Sequence, residues 1–319
     1  MNRRDAVLAL VALGAAPLAA EAQQPGRKAL IGYLVLGNPE PIFGMFKEGM
    51  RNLGYLDGKN MQLEFRSAEG KSERLAGLAA ELVRLKVDVL VAAQTPAITA
   101  AKQATARIPI VMAGAGDPVG TGLIASLARP GGNITGTSAT TAELGGKLLE
   151  LVREVLPSAR RVAVLANTTD PFANSFLGQI QAAGHAMRLD ISTTMIREAG
   201  ELDAAFPILV DRRTDVVIVQ PSLPRRLAAG LSLQHRLPAV APNGFFPGEG
   251  GLMSYASNLA DLHGVTAGYV DKILKGAKPG DLPVQQPTRF ELVLNLKTAK
   301  ALGITIPPVI LLRADRVIE

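Results

Sequence analysis

The sequence predicts an α/β protein with two Rossmann-like parallel-sheet lobes, and three observations support this prediction. Short, continuous apolar runs are typical of strands that are buried on both faces of a parallel sheet, and the first covers residues 29–36. Helical periodicities separate the runs, which indicates strand–helix–strand units with right-handed crossovers. The pattern begins near Lys28 and begins again near Arg160. Two such lobes in one chain imply a cleft between them.

The composition is compatible with this architecture and excludes several others. A chain of 319 residues corresponds to two domains of roughly 150 residues each. With 48% apolar and 19% charged residues, the chain can build a full core, which excludes disorder, coiled coil and collagen. Cysteine is absent and the three histidines are scattered, so we expect no disulfide and no metal site. The net charge of +6 is spread along the chain without interleaved aromatic residues, so we expect no nucleic-acid partner.

The first 22 residues have the layout of a secretory signal peptide. Arg3 and Arg4 provide a positive start, an apolar run covers residues 6–20, and small residues flank a cleavage site after Ala22. The run is shorter than the ~20 residues that span a bilayer. We therefore predict a periplasmic or otherwise extracytoplasmic protein that begins near Gln23. The general secretory route and the twin-arginine route both stay open.

The mature chain can be divided into strands and helices in order. Apolar runs predict strands at residues 29–36, 87–92, 108–112, 161–166, 215–219 and 239–241. Leucine stripes predict helices, the first at Leu75, Leu78, Leu82 and Leu85 and the second at Leu144, Leu148, Leu151 and Val155. In the tail, a helix is predicted at 260–276, a linker or short strand at 282–286 and a strand at 290–294.

These tail segments complete both lobes, so the chain crosses between the lobes more than once. We expect an N-terminal lobe of residues 28–138 plus about 258–288. The C-terminal lobe then has residues 139–257 plus about 289–319.

The strand-to-helix turns share one pattern, a polar residue followed by proline. The five pairs are Asn38-Pro39, Thr95-Pro96, Asp117-Pro118, Asp170-Pro171 and Gln220-Pro221. Except for Gln220, the first residue is a preferred helix N-cap, and proline suits the first helical position. These turns lie at the carboxyl ends of parallel strands, where open α/β sheets bind ligands and helix starts attract anions.

Motifs for catalysis are absent. The chain has neither a phosphate-binding loop nor a nucleophile elbow. The glycine-rich segment 114–120 resembles a dinucleotide fingerprint only superficially, because Pro118 occupies the turn. We therefore expect a protein that is not an enzyme and has no cofactor.

The strand ends supply candidate ligand residues. The hydroxyl of Thr95 and the helix start at Pro96 and Ala97 could bind a carboxylate, while Asp117 could bind an ammonium group. Asn167 ends the first strand of the second lobe and can both donate and accept hydrogen bonds. Ordinary roles as helix caps and turn formers explain these residues equally well.

Four further residues complete the candidate set. Asn38 and Asn243 follow strands in the two lobes. Phe43 could cover an apolar ligand, yet it also continues a helical stripe of core residues. Phe245 and its neighbour Phe246 follow a strand, so at least one of them should contact the ligand or the other lobe; local packing is the alternative.

The chain resembles a family of substrate-binding proteins of ATP-binding-cassette (ABC) importers with the type-1 periplasmic-binding fold. The segments that carry the resemblance are 46–55, 78–89, 116–120, 126–136, 250–255, 269–278 and 290–306. The resemblance implies two lobes that are joined by a three-stranded hinge and close on one small molecule. It also implies that Thr95, Asp117 and Asn167 face the ligand, and some members are associated with aromatic amino acids such as tryptophan.

The sequence therefore predicts an exported solute-binding component of an ABC importer. We expect it to bind an amino acid or a related carboxylate, including aromatic ones, and to deliver it to a membrane permease that works with an ATPase. An exported sensor for a signalling receptor and an α/β enzyme are the alternatives. Residues 174–208 and 243–247 depart from the family pattern, which leaves the ligand open.

Overall fold

The computed structural model describes residues 27–38, 40–139 and 141–319. The signal peptide predicted at 1–22 lies outside these residues. Within them, the first sheet has five parallel strands in the order β2-β1-β3-β4-β5. The strands are β1 (Ala29–Val35), β2 (Met61–Ser67), β3 (Val89–Ala93), β4 (Ile110–Ala115) and β5 (Ile134–Ser138). Its helices are α1 (Ile42–Asn52), α2 (Leu75–Arg84) and α3 (Thr95–Ala104).

The second sheet has seven strands in the described part of the chain, in the order β12-β11-β10-β9-β8-β6-β7. The strands are β6 (Arg161–Asn167), β7 (Asp190–Ile196), β8 (Val216–Val219), β9 (Ala239–Ala241), β10 (Met253–Ser257), β11 (Phe290–Asn295) and β12 (Arg316–Ile318). The remaining helices are α4 (Thr141–Val155), α5 (Ala173–Ala186), α6 (Glu201–Asp211), α7 (Arg225–Gln234), α8 (Leu259–Leu274), α9 (Leu296–Leu302) and α10 (Pro308–Arg313). Only β10 and β11 pair antiparallel among these strands, so the predicted fold class is confirmed.

The chain moves between the two sheets at three places. It leaves the first sheet after β5 and returns to it after β10, because α8 packs on α1, β4 and β5. Gln285 then forms a bridge with Thr137 of β5 before β11 enters the second sheet. The helix predicted at 260–276 is α8, and the strand predicted at 290–294 is β11.

Both faces of the first sheet are covered, which explains its continuous apolar runs. Leu34 and Leu90 pack with α2 and α3 on one face, while Tyr33 and Val91 pack with α1 and α8 on the other. All residues of β3 are buried, as are all residues of β8 in the second sheet. This two-sided burial is the arrangement that parallel sheets require.

The outer strands β2 and β7 are half-exposed and carry polar residues, so the sequence contains no apolar run that predicts them. In β2, Gln62 and Glu64 alternate with Leu63 and Phe65. A strand whose faces are only partly covered needs fewer apolar side chains, and its sequence pattern is correspondingly weak.

No helix within the described ranges has the length and apolar character needed to cross a membrane.

Candidate ligand-binding site

A cavity of about 100 Å³ lies between the carboxyl edges of the two sheets. Thr95 and Gly116 line it from the first lobe, and Asp170 and Ser222 line it from the second. His263 of α8 completes the wall. The strands of both sheets end at this cavity, at the sheet edge where parallel α/β proteins bind ligands.

The cavity adjoins a wider groove of about 1340 Å³. Asn38, Gln94, Ser222 and Arg225 line both spaces, so the groove continues the cavity towards solvent. The remaining charged residues along the groove are Glu69, Lys71, Glu73, Arg197, Glu198, Asp203, Arg226 and Glu249. A small ligand can therefore enter by a polar route and reach a mostly buried end.

Side chains of the two lobes contact each other around this cavity. Ser175 donates from Oγ to Oδ2 of Asp117 at 2.6 Å, and Gln94 donates from Nε2 to the Pro221 carbonyl at 3.3 Å. Gly116 lies so close to the Phe172 ring that an added Cβ would be 2.6 Å from its Cγ. The described arrangement is therefore a closed one, held by direct contacts between the lobes.

Thr95 begins α3 at the end of β3 and is buried. Its Oγ accepts a hydrogen bond from the Gly116 backbone N–H at 3.0 Å, so the hydroxyl proton can still be donated to a ligand. Gln94 precedes it with φ of 72°, in the left-handed region that a residue with a side chain rarely adopts. Such backbone strain costs about 1–3 kcal/mol and is concentrated at functional sites.

Asp170 is a buried carboxylate in the wall of the cavity, 5% exposed. Its Oδ1 accepts from the Phe172 backbone N–H at 3.0 Å, and its Oδ2 accepts from Gln220 Nε2 at 2.9 Å. Burial raises the pKa of Asp170, against the lowering effect of the hydrogen bonds from the Ser222 hydroxyl and the Phe172 N–H. Among the described residues it forms no ion pair, so no cationic partner for its charge lies in that part of the chain.

Arg225 also lines the cavity, but its guanidinium group is already engaged. Its Nε and Nη2 each donate to a carboxylate oxygen of Glu249 at 3.1 Å, a two-point contact between half-buried side chains. The guanidinium also lies 5.8 Å from the centre of the Phe245 ring. This pairing fixes Arg225 and Phe245 against each other at the junction of cavity and groove.

His263 is an uncharged donor or acceptor in the same wall. It is 2% exposed, and burial lowers its pKa to about 4, so the imidazole is neutral at neutral pH. Its Nδ1 has no hydrogen-bond partner within the described part of the chain. Buried polar atoms without partners are rare in native proteins, which makes His263 a candidate for ligand contact.

Four of the nine residues predicted for the site line the cavity: Thr95, Asn38, Asn243 and Phe245. The side-chain oxygens of Asn38 and Asn243 accept from the backbone N–H groups of Glu40 and Phe245, respectively, so both asparagines also shape their turns. Phe246, next to Phe245, points away into the core.

The other five predicted residues do not line the cavity. Pro96 and Ala97 are buried in α3. Phe43 packs against Tyr33 and Phe65, with ring centres 5.2 and 4.6 Å away, as part of the core stripe. The ligand contacts expected of these residues have no counterpart in the cavity wall.

Asn167 and Asp117 have local partners instead. Asn167 Oδ1 accepts from the backbone N–H of Thr169 at 2.9 Å and from its hydroxyl at 2.8 Å, as a turn former does. Asp117 Oδ1 accepts from the Gly120 N–H at 2.9 Å, and its Oδ2 accepts from Ser175 of the other lobe. Its carboxylate therefore holds a turn and joins the lobes, and it is not among the residues that line the cavity.

Sequence reasoning did not select Gln94, Asp170 or His263. Asp170 carries the same Asp-Pro signature as Asp117, so the pattern that selected one acid could have selected both. No local sequence signal marks His263, because α8 follows the chain's return to the first lobe. No group of three or more His, Asp or Glu residues that could hold a metal ion occurs in the part of the chain that the structure describes.

The fold and the interlobe cavity define a two-lobed solute-binding protein of the type-1 periplasmic-binding class. Residues 40–318 match the model of the ABC transporter substrate binding protein family, and the chain belongs to this family. It is 30% identical over 264 residues to a tyrosine-binding protein of Clostridioides difficile strain R20291, covering 81% of this chain and 75% of the relative.

Two solved structures are also similar. A conserved domain protein from Vibrio cholerae is 26% identical with a TM-score of 0.85, covering 91% of this chain and 100% of that one. A domain from Streptococcus pneumoniae in complex with L-Trp is 26% identical with a TM-score of 0.83, over the same shares of the two chains. The family is thus one of binding proteins that serve ABC transporters from outside the cytoplasm.

Proposed function

We propose that this protein is an exported solute-binding component of an ABC importer and that it binds an amino acid between its lobes. The bound protein would present the amino acid to a membrane permease that works with a cytoplasmic ATPase. Export would use the signal peptide predicted at 1–22, with cleavage near Ala22. The observation that carries the proposal is the cavity, which brings the helix start at Thr95 and the buried carboxylate of Asp170 into one small space.

An amino acid offers a partner for each of these groups. Its carboxylate suits the Thr95 hydroxyl at the start of α3, where the positive end of the helix dipole favours negative charge. Its ammonium group suits a carboxylate of the wall. The similarity to a tyrosine-binding protein and to an L-Trp complex supports an aromatic amino acid as the first class to test.

The size of the cavity bears on where an aromatic side chain would lie. A 150 Å³ cavity is known to hold benzene, so the cavity of about 100 Å³ suits the main-chain part of an amino acid better than its ring. The ring would then extend past Gln94 and Ser222 towards the groove, and Phe245 in the cavity wall offers it an apolar face.

We also propose that the three crossings between the sheets form the hinge, with lobes of residues 28–138 plus about 258–288 and 139–257 plus about 289–319. Contacts such as Ser175 with Asp117 form only when the lobes approach each other. A ligand that touches both lobes would favour this closed form by a population shift.

A thermal-shift screen followed by calorimetry tests the proposal. The panel would contain the amino acids, with L-tyrosine and L-tryptophan first, together with neutral sugars, aromatic acids and polyamines. A ligand that binds the folded state increases the free energy of unfolding by RT ln(1 + [L]/Kd), and the unfolding temperature rises as a result. We expect a shift with one or more amino acids. A strong shift with a neutral sugar and none with any amino acid would contradict the proposal.

A further inference from the structure

Asp170 is unusual because it is a buried carboxylate for which the described protein offers hydrogen bonds but no cation. Its two oxygens accept hydrogen bonds from the Phe172 N–H and from Gln220, and the Ser222 hydroxyl is a third donor beside it. An ionised carboxylate can accept about four hydrogen bonds, so it has capacity for one further donor. A buried charge normally has an ionic partner or coordinates a metal.

The other charged groups of the cavity do not neutralise it. Arg225 is held by Glu249 in a two-point ion pair, and His263 is neutral because burial lowers its pKa to about 4. Glu40, at the exposed edge of the cavity, adds a second negative charge. The wall therefore carries an excess of negative charge, which favours a positive group in the ligand.

We propose that Asp170 is the receptor for a ligand ammonium group, the role that the sequence suggested for Asp117. The proposal rests on the proposed binding function and specifies which end of the ligand each lobe holds. The second lobe contributes Asp170 for the ammonium group, and the first lobe contributes Thr95 for the carboxylate. A zwitterion thus contacts both lobes at once, which couples its recognition to their closure.

A structural role for Asp170 is the alternative to be separated. Its Oδ1 accepts a backbone N–H just before α5, as a helix cap does, and Gln220 links it to the end of β6 through the Asn167 N–H. A helix cap would affect the stability of the second lobe, but it would not make the binding affinity depend on the charge of the ligand. The discriminating quantity is therefore the preference for an amine, measured as a ratio of affinities.

The experiment compares three aromatic compounds by calorimetry on the full mature chain. L-tyrosine has both charged groups, tyramine has only the ammonium group, and 3-(4-hydroxyphenyl)propanoate has only the carboxylate. In the wild type, L-tyrosine should bind more tightly than the propanoate by about tenfold or more, the value of a charged hydrogen bond. In Asp170→Asn this preference should fall to near one.

Asp117→Asn is the matched control, because it removes the other Asp-Pro carboxylate, which does not line the cavity. It should leave the preference for an amine as in the wild type, even if weaker closure lowers the affinity for both compounds. Thermal unfolding of each variant reports whether the fold is intact. The comparison of ligands within the wild type does not depend on any variant.

Each outcome separates the two proposals. Equal wild-type affinity for L-tyrosine and the propanoate, or an amine preference that survives in a folded Asp170→Asn protein, would overturn the role of Asp170. If the wild type binds tyramine and Asp170→Asn does not, while no amino acid binds, the ammonium receptor stands and the amino-acid function fails. Binding that favours the propanoate over both amines would also overturn the inference.

Discussion

Replacing Gly116 by alanine should hold the two lobes apart. The added Cβ would lie 2.6, 2.7 and 2.8 Å from Cγ, Cδ1 and Cδ2 of the Phe172 ring, about 1 Å closer than an ordinary van der Waals contact. Phe172 is 3% exposed and belongs to the core of the second lobe, with the Phe176 ring 5.7 Å away, so the ring has little room to retreat. The clash must therefore be relieved by movement of the two lobes away from each other.

The cost should appear in ligand affinity rather than in the stability of either lobe. Overpacking by a single methyl group costs about 1–3 kcal/mol, which corresponds to roughly 5- to 150-fold weaker binding of a ligand that requires closure. Calorimetry with L-tyrosine or L-tryptophan measures this loss, and small-angle scattering should show a larger radius of gyration at saturating ligand.

Gly178→Ala is the matched control for this experiment. Gly178 lies within α5, and a Cβ added there meets nothing within 4 Å. This variant should bind as the wild type does and be slightly more stable, because alanine favours helix. Wild-type affinity and a compact shape in Gly116→Ala would refute the idea that these two residues mark a closing contact.

Burial lowers the pKa of His263 from 6.5 to about 4, so on acidification the unfolded chain takes up the proton before the folded protein does. The free energy of unfolding therefore falls as the pH drops from about 6.5 to about 4, by about 3 kcal/mol in total. Denaturant unfolding at pH 7.5 and pH 4 should show this loss in the wild type and a smaller one in His263→Gln; equal losses would contradict it. Ser175→Ala removes the bond to Asp117 and should weaken L-tyrosine binding by about fivefold in calorimetry, whereas an unchanged affinity would mean that this bond does not stabilise the closed form. N-terminal sequencing of the exported protein should begin near Gln23, and a sequence that starts at Met1 would exclude cleavage.

The sequence was informative about the fold where burial is two-sided. Central strands such as β3 and β8 are buried along their whole length, so their apolar runs were visible without any knowledge of their neighbours. The edge strands β2 and β7 were missed because most of their residues are only partly buried. The buried strands β5 and β10 were missed as well, because threonine, serine and glycine interrupt their apolar residues. A run of polar residues becomes a strand there only because a neighbouring strand offers it hydrogen bonds, which is information outside the local sequence.

The site was less predictable because strand ends identify an edge of the sheet rather than the direction of a side chain. Thr95 and Asp117 follow adjacent strands, yet Thr95 lines the cavity while Asp117 turns towards Ser175. Asp170 has the same local signature as Asp117, yet it is buried in the cavity wall with partners from its own lobe, which the local sequence does not indicate. His263 reaches the cavity only because the chain crosses back to the first lobe after β10.

Native mass spectrometry of the protein purified from its source tests the central claim most directly, because it weighs whatever small molecule stays bound. We expect a one-to-one complex with a compound that carries both an ammonium group and a carboxylate and that is released when the protein unfolds. A bound neutral sugar, or a bound anion without an amine, would contradict it.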